Sequence, residues 1–319
     1  MTRAVARLGG SSDIAIIILN RNGGADLKQC VESISACSGR GFSLVVADNG
    51  STDGSVEMVH SLFPSVRIAA NGANLGFAAG NNSAVRAISD QGFGWLVFLN
   101  ADLVMAPDCL TKLVVAAESD PSIAVVGPTV YHASEPNTIQ SAGGVISRAG
   151  TPVHRGANEA ERGQFAGPQD VDWVSGCALM IRSQAFAAIQ GFDERFFMYG
   201  EEVDLCVRAR RAGYRVVHVP SAKVWHKGVS RTYNPAPYVT YYSTRNQFLF
   251  LNKNLQGARK ARAMAAAWTR ETRTLAAHAL KPGYHDLRRH RDARAMALLD
   301  ALLGRWGEKT AAPGWFFAR

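Results

Sequence analysis

Leu44-Val45-Val46-Ala47-Asp48-Asn49-Gly50-Ser51-Thr52-Asp53-Gly54-Ser55 joins an apolar run, a carboxylate, a turn and the start of a helix. The unbroken Leu44–Ala47 run suits a strand covered on both faces. Ser51 or Asp53 then caps the following helix, because a side-chain oxygen there can accept an orphan amide of the first turn. Capping accounts for Ser51–Ser55 but gives no reason for an acid on the last rung of a buried strand. A carboxylate at Asp48 can accept the imide N–H of a uracil or thymine ring.

Working outward, the same unit recurs. Ile14–Leu19 reads as a strand and Asp26–Cys37 as a helix; Ser55–Phe63 is the helix after the second strand. Val66–Ala69 is a third strand before a helix over Ala78–Ile88, Trp95–Leu99 a fourth before Asp108–Glu118, and Ile123–Val126 a fifth. This alternation predicts an α/β layer structure with a mostly parallel central sheet. Ligands of such sheets sit beyond the carboxyl ends of the strands. The polar clusters Asn20-Arg21-Asn22, Asp48-Asn49 and Asn100-Ala101-Asp102 fall there. Asn74-Leu75-Gly76-Phe77-Ala78-Ala79-Gly80-Asn81-Asn82 is a glycine-punctuated loop opening a helix and lacks the dinucleotide-binding pattern. Its small residues predict close approach of backbone to a ligand, with an anion favoured at the helix N-terminus. A plain Gly-rich turn explains it equally well.

From Tyr131 to Pro168 the chain is rich in Gly, Ser, Ala and Pro, which predicts loops and short antiparallel strands near Gly144–Ser147. Trp173–Ile181 reads as a buried strand interrupted at Ser175-Gly176, Ser183–Ile189 as a short helix, and Glu201–Ala212 as a longer one. Tyr214–Val219 and Lys223–His226 read as short strands. Beyond Pro237 the chain is helical, with a break at Lys281-Pro282-Gly283.

The 319 residues are 47% hydrophobic and 19% charged, an ordinary globular composition. No run approaches the roughly 20 apolar residues of a membrane span, and Met1–Ser12 has no apolar core of export-signal length, so a disordered start is expected. Cys30, Cys37, Cys109, Cys177 and Cys206 are scattered without a CxxC pair. That argues against a disulfide framework or zinc site and for a reducing cytoplasm. The net charge of +9 is uneven: from Leu255 onward 13 Lys and Arg stand against 5 Asp and Glu, leaving the remainder near +1. A positive tail suits an anionic membrane surface or nucleic acid.

Tyr199-Gly200-Glu201-Glu202-Val203-Asp204-Leu205 packs three acids at the start of a helix, after Gly191-Phe192-Asp193-Glu194. An acidic first turn complements the helix dipole. Acids this close also repel, so at least one holds its proton more tightly than a free carboxylate, as a base that deprotonates a hydroxyl requires. Asn100 and Asp102 end the fourth strand as an Asx pair that could simply form a turn. They could also hold a hard divalent cation with a diphosphate as co-ligand, and His226 in Val224-Trp225-His226-Lys227-Gly228 would complete a site suited to Mn²⁺ or Mg²⁺.

In this order, the motifs resemble the family 2 glycosyltransferases, inverting enzymes of the GT-A fold, and within them the bacterial rhamnosyltransferase type. The matched pieces are Ile18–Gly23, Asp48–Asp53, Asn74–Ala78, Leu99–Asp102, Trp173–Gly176, Gly191–Glu194 and Tyr199–Leu205. The resemblance implies that Asn20, Asn22, Asp48, Asn74, Gly76, Phe77, Asn82, Asn100, Asp102, Trp173, Ser175 and Gly176 form the nucleotide-sugar site. Asp48 would read the pyrimidine base. Asp102 and His226 would hold the cation, with Asn100 in the weaker first position of a DxD-like motif. Glu202 falls where the family usually has a catalytic Asp, one methylene shorter, so Glu201 stays a candidate base. Asp204 and Arg208 would hold the helix in place. The implied layout is a catalytic domain over 13–235, with a nucleotide-binding half (13–130) and an acceptor half (131–235), and a basic helical extension over 236–319. The implied donor is a dTDP- or UDP-sugar, with rhamnose preferred and UDP-hexose or UDP-N-acetylhexosamine open. The acceptor is a glycan or polyprenyl-linked glycan, which suits a cytoplasmic enzyme peripheral on the inner face of the membrane.

In the extension, Met264, Trp268, Leu275 and Ala279 share one helical stripe and Leu287, Leu298 and Leu302 another, with Arg259, Lys260, Arg262, Arg288, Arg289, Arg291 and Arg294 on polar faces. Such helices can lie on anionic lipid or pack on the catalytic body. Trp315, Phe316 and Phe317 suit lipid or a homodimer interface. A nucleotidyltransferase would need a Gly-rich basic phosphate loop near the first strand, where only Arg21 is found. Specific nucleic-acid binding is disfavoured because the tail lacks aromatics interleaved with its basic residues.

Overall fold

The computed structural model describes residues 13–38, 41–228, 236–280 and 287–316. The expectation for residues 1–12 and the helix break at Lys281-Pro282-Gly283 lie outside them. The first half contains β1 (Ile14–Asn20), α1 (Gly24–Ser35), β2 (Phe42–Asp48), α2 (Ser55–Leu62), β3 (Arg67–Ala70), α3 (Gly76–Ala87), β4 (Trp95–Asn100), β5 (Leu103–Met105), α4 (Cys109–Glu118) and β6 (Ile123–His132). There follow β7 (Glu135–Ser141), β8 (Gly144–Ile146), β9 (Pro152–His154), β10 (Gln169–Asp170), β11 (Ala178–Arg182), α5 (Ser183–Ala188), α6 (Glu201–Arg211) and β12 (Arg215–His226). Helices α7 (Pro237–Asn254), α8 (Gly257–Leu280) and α9 (Arg288–Leu302) complete the described chain.

Ten strands form one sheet with the path β10-β12-β6-β11-β4-β1-β2-β3, to which β5 and β7 attach at β12 and β6. Strands β3, β2, β1 and β4 run parallel, as does β6 with β12, while β11 runs antiparallel between β4 and β6. Apolar runs without polar breaks are buried on both faces. Ile14, Ile16 and Ile18 of β1 enter one core, with Leu27, Val31 and Leu110 of the helices over that face. Ala15 and Ile17 enter the other, with Phe98, Phe186 and Phe192. The period-2 geometry of a strand divides one apolar run between two cores.

Several elements differ from the sequence reading. The strand expected over Trp173–Ile181 forms only over Ala178–Arg182, with Trp173 in an isolated bridge to Gly144, and the strand expected over Ile123–Val126 runs on to His132. β12 is one strand rather than two, and the apparent gap is a register shift between Val219 and Lys223, where Pro220 interrupts the ladder. β5 went unread because three residues after a polar turn carry no periodic signal. The cap of α2 is also corrected. Ser51 turns toward Asp48 instead, and only Asp53 reaches the helix start, accepting from the amide of Ser55 at 3.1 Å.

The C-terminal helices share the body's core. Phe248, Leu249, Phe250 and Leu251 of α7 and Ala263 and Ala267 of α8 are buried in the cluster that includes the sheet, and Met264, Trp268 and Leu275 pack against it. Phe316 is fully buried against Tyr241 and Tyr242, so it is not available to lipid or a second copy. No helix among the described residues is long and apolar enough to cross a membrane.

Candidate functional site

Parallel pairing brings the polar strand ends to one edge. Asn20 lies opposite Asp48 and Leu19 opposite Asn100. Asp48 is buried, and its Oδ1 accepts from Asn20 Nδ2 at 3.1 Å and Ser51 Oγ at 2.5 Å. Its Oδ2 accepts from the amides of Gly50 at 3.1 Å and Ser51 at 3.0 Å. Four bonds occupy the acceptor capacity of a carboxylate. Asp48 therefore builds the loop Asn49–Asp53, and an imide N–H would have to displace one of those donors. Asn20 is fully buried; its Nδ2 also donates to Ser51 and Ser55, and its Oδ1 accepts from Gly23 N. Arg21 and Asn22 are the exposed members of this corner, with Asn22 in a left-handed conformation at φ 53°.

The α3 loop is corrected more strongly. Asn74 Oδ1 accepts from Gly76 N at 3.1 Å, and Phe197 O accepts from Phe77 N at 2.6 Å and Ala78 N at 3.2 Å. The first amides of the helix are thus taken up by the protein, and no anion site is presented there. Gly76 has φ +73°, and a Cβ on it would stand 2.4 Å from Phe197 O. The close approach that glycine permits is to the chain before Glu201, not to a ligand. Phe77 packs edge-on against Phe192, and buried Asn82 exchanges bonds with Phe192 N and O. The Oδ1 of Asn74, the amides of Gly76 and Phe77 and the side chain of Asn82 are thus all bonded within the protein.

At the end of β4, Asp102 Oδ1 lies 3.1 Å from His226 Nε2, and Asn100 Nδ2 lies 3.2 Å from the same nitrogen. β5 and β12 make this meeting possible by pairing Leu103 with His226. His226 Nδ1 is 3.1 Å from Gln140 Oε1, a contact that orients the ring with Nε2 toward Asp102. Burial raises the Asp102 pKa, but the hydrogen bond and charge of His226, with its backbone and Lys227, outweigh it and hold the carboxyl below the usual range. A Cβ at Gly228 would stand 2.5 Å from Asp102 Oδ2 and 3.3 Å from His226 Nε2. The missing Cβ leaves a space bordered by one carboxylate and one imidazole. No group of three or more His, Cys, Asp or Glu that could hold a metal ion by themselves occurs among the described residues. Two protein donors with open positions fit a divalent cation that takes its other ligands from a diphosphate and water.

The third corner is α6. Glu201 is buried, and its Oε2 has no hydrogen-bond partner among the described residues. Burial, then the charges of Glu202 and Asp204, push its pKa well up. Burial also raises the Glu202 pKa, although backbone amides, Gly200 N at 3.2 Å from Oε2 among them, pull the other way. Glu202 is less enclosed than Glu201 and borders Gly176, where an added Cβ would touch its side chain at 3.2 Å. The neighbouring Cys177 O accepts from Asn100 N at 3.0 Å, and the Cys177 thiol feels both Asp102 and Glu202. The segment Ser175–Cys177 therefore links the cation corner to the carboxylate corner. Ser175 Oγ is spent on Cys177 Sγ at 3.4 Å. Trp173 is a buried wall rather than an open lining: it fills the space at Gly144, where a Cβ would stand 2.0 Å from the ring. Asp204 is fully buried and accepts from Arg208 at 2.7 Å, Lys253 at 2.8 Å and Asn254 at 2.9 Å, which holds the helix against α7.

Sequence reading missed Gln140, whose bond to His226 spans 86 positions, and Asn246, which donates to the chain before Glu201 from 47–50 positions away. Neither lies in a motif, and pairing at such separation leaves no local signal.

Residues 13–189 match the model of the Glycosyl transferase family 2 family, and residues 161–229 match that of the N-terminal domain of galactosyltransferase. The chain is 30% identical to the N-acetylglucosaminyl-diphospho-decaprenol L-rhamnosyltransferase of Mycobacterium tuberculosis, over 75% of this chain and 83% of that one. It is 26% identical to the low-salt glycan biosynthesis hexosyltransferase Agl10 of Haloferax volcanii, over 75% and 76%. Among solved structures, it is similar to the mannosyltransferase PcManGT from Pyrobaculum calidifontis in complex with GDP-Man and Mn2+. The TM-score is 0.55 at 16% identity, covering 92% of this chain and 88% of that one. GalNAc-T7 with UDP, GalNAc and Mn2+ gives a TM-score of 0.60 at 14% identity, over 90% and 54%. These likenesses show the GT-A type of fold with its curled, mainly parallel sheet.

Proposed function

We propose, since this chain belongs to glycosyl transferase family 2, that it moves L-rhamnose from a dTDP- or UDP-sugar to a hydroxyl of a polyprenyl-linked glycan, inverting the anomeric carbon. The observation that carries the chemistry is the position of Glu202. A carboxyl with a raised pKa borders Gly176, and the next residue, Cys177, accepts through its carbonyl from Asn100 N at the end of β4, beside Asp102 and His226. The acceptor oxygen attacks the anomeric carbon in line, Glu202 takes its proton, and the bond to the diphosphate oxygen breaks. General-base catalysis of this kind contributes typically about 10²–10⁴-fold. Asp102 and His226, with Asn100 beside them, would hold a Mg²⁺ or Mn²⁺ ion. When bound, the cation would offset the charge that develops on the departing diphosphate. Arg21 and Asn22 are exposed where the base would lie, with Arg21 donating to Asn49 O at 3.2 Å and Asn22 Oδ1 accepting from Thr52 N at 2.8 Å, while Asp48 keeps their loop in shape.

The mycobacterial relative supports rhamnose and a lipid-linked acceptor by its name. A UDP-hexose donor is the second reading, favoured by the galactosyltransferase-like segment 161–229. A thermal-shift panel separates them, because a ligand at a hundredfold excess over Kd stabilises the folded state by about 2.7 kcal/mol. dTDP-rhamnose with Mn²⁺ or Mg²⁺ is expected to raise Tm by a few degrees and UDP-galactose to do much less. The reverse ranking would install the second reading, and no response to any sugar nucleotide would sink both.

The same reading places the enzyme on the inner face of the membrane. Much of the apolar stripe of α8 and α9 is spent on the body, but Leu280, Leu299, Leu302 and Leu303 are exposed, as are Arg259, Arg262, Arg273 and Arg289. Exposed cationic and apolar side chains on the same two helices suit anionic lipid. Co-sedimentation with anionic vesicles at low salt, lost at high salt and absent with zwitterionic vesicles, is the expected result. Protein that stays in the supernatant in every case would remove the membrane from the reading.

A further inference from the structure

The chain that delivers Glu201 and Glu202 to the site takes a strained course. Phe197 has φ 64° and Tyr199 φ 70°, and Gly200 follows at φ 96°. Non-glycine residues hold such conformations only where their surroundings over-determine them, and strain of this kind gathers at working sites. The surroundings here come from the C-terminal helix α7. The Asn246 side-chain nitrogen, buried, lies 2.8 Å from Phe196 O, 2.8 Å from Met198 O and 2.9 Å from Tyr199 O. Its two N–H groups are shared among three carbonyls of the loop. Its Oδ1 accepts from Arg245 Nε at 3.1 Å and Nη2 at 2.9 Å. Arg245, also buried, donates to Phe196 O at 3.3 Å and Gly307 O at 2.7 Å and stacks on Tyr241 and Tyr242. From the opposite side, Phe197 O takes the amides of Phe77 and Ala78. The loop is clamped between α3 and α7.

We propose that Asn246, oriented by Arg245, is a positioning residue for the proton-accepting carboxylate. By holding Phe196–Tyr199 it fixes where α6 begins, and so where Glu202 stands relative to Gly176 and the cation corner. The inference rests on Glu202 as the base. It also gives the helical extension a catalytic role that packing alone would not require, since the carbonyls it binds belong to the base's own loop.

The test compares four full-length variants with the parent enzyme in sugar transfer and in sugar-nucleotide binding. Asn246→Asp keeps the shape of the side chain and its bonds from Arg245 but replaces both N–H donors with an acceptor facing three carbonyls. Because misplacement by about 1 Å can cost about 10²-fold, kcat should fall by that order. Donor affinity should stay within about threefold, and the acidic limb of the pH profile should move. Asn246→Ala, which removes the donors without adding an acceptor, is read by the same criteria if the Asp variant does not fold. Phe248→Leu on the same helix, where Phe248 packs on Trp268 at 4.6 Å, supplies a comparable packing loss and should keep kcat and the pH profile. Asn246 variants that keep kcat within about threefold, or a Phe248→Leu enzyme that loses as much kcat for the same fall in Tm, overturn the proposal. An inactive Glu202→Gln beside a fully active Asn246→Asp overturns this inference alone. A fully active Glu202→Gln removes the base assignment and this inference with it.

Discussion

Glu202→Gln is expected to lose about 10²–10⁴-fold in turnover while sugar-nucleotide affinity by calorimetry stays unchanged. Gln keeps the volume beside Gly176 but cannot take a proton. The stability of this variant moves the other way. Burial raises the Glu202 pKa above its ordinary 4.5, so the folded state binds the proton more tightly than the unfolded chain does. The stability contributed by such a group is fully present below the unfolded pKa and is lost as pH rises through the folded one. The parent therefore carries a cost at neutral pH that Gln does not, and the variant's Tm should equal or exceed the parent's there, with the gap closing toward acid. Activity in the parent should rise with pH through the raised pKa, since the base works only when ionised. Near-parental turnover in Glu202→Gln would move the base to Glu201 or elsewhere. Glu201 is the weaker candidate: it is buried and its proton is held more tightly still, by burial and by the charge of Glu202 itself.

Asp102→Ala is expected to abolish the cation-dependent part of donor binding. Asp102 and His226 meet just beyond the end of β4, and removing the carboxylate leaves one imidazole for a hard cation that prefers oxygen. Loss of a mere supporting residue around a metal typically costs about 10–100-fold in affinity, so loss of a direct ligand should cost at least about 100-fold. The measurement is calorimetric donor affinity with Mn²⁺ or Mg²⁺ and with EDTA. The parent should show a large difference between the two, and the variant none. A parent whose affinity is the same in both conditions, or a variant that keeps the difference, would reject the cation assignment. The fold should survive the substitution, because the backbone of Asp102 remains tied by its carbonyl to Lys227 N at 2.9 Å.

Much of the architecture was legible because parallel strands buried on both faces leave continuous apolar runs. Ile14–Asn20, Phe42–Asp48 and Trp95–Asn100 were each found within two residues of the expected bounds. The polar clusters at their ends were legible for the same reason: an acid or amide directly after a buried run has few structural excuses. Roles were harder to read than places. Asn20, Asp48, Asn74 and Asn82 all lie around the site, yet their polar atoms are spent on backbone and neighbouring side chains. A sequence shows which groups a residue offers, but not which of them the fold has already used.

The chain alone determined the layered α/β class, the gathering of polar residues at strand ends and the acidic start of α6, since each follows from local periodicity and spacing. Tertiary structure alone decided that Gly76 makes room for Phe197 O, that Gln140 orients His226, and that Asn246 clamps the loop before Glu201. Those contacts join residues 47–121 positions apart. Hydrogen bonds and steric fit act over a few ångströms of space, and only the completed fold says which distant residues come that close.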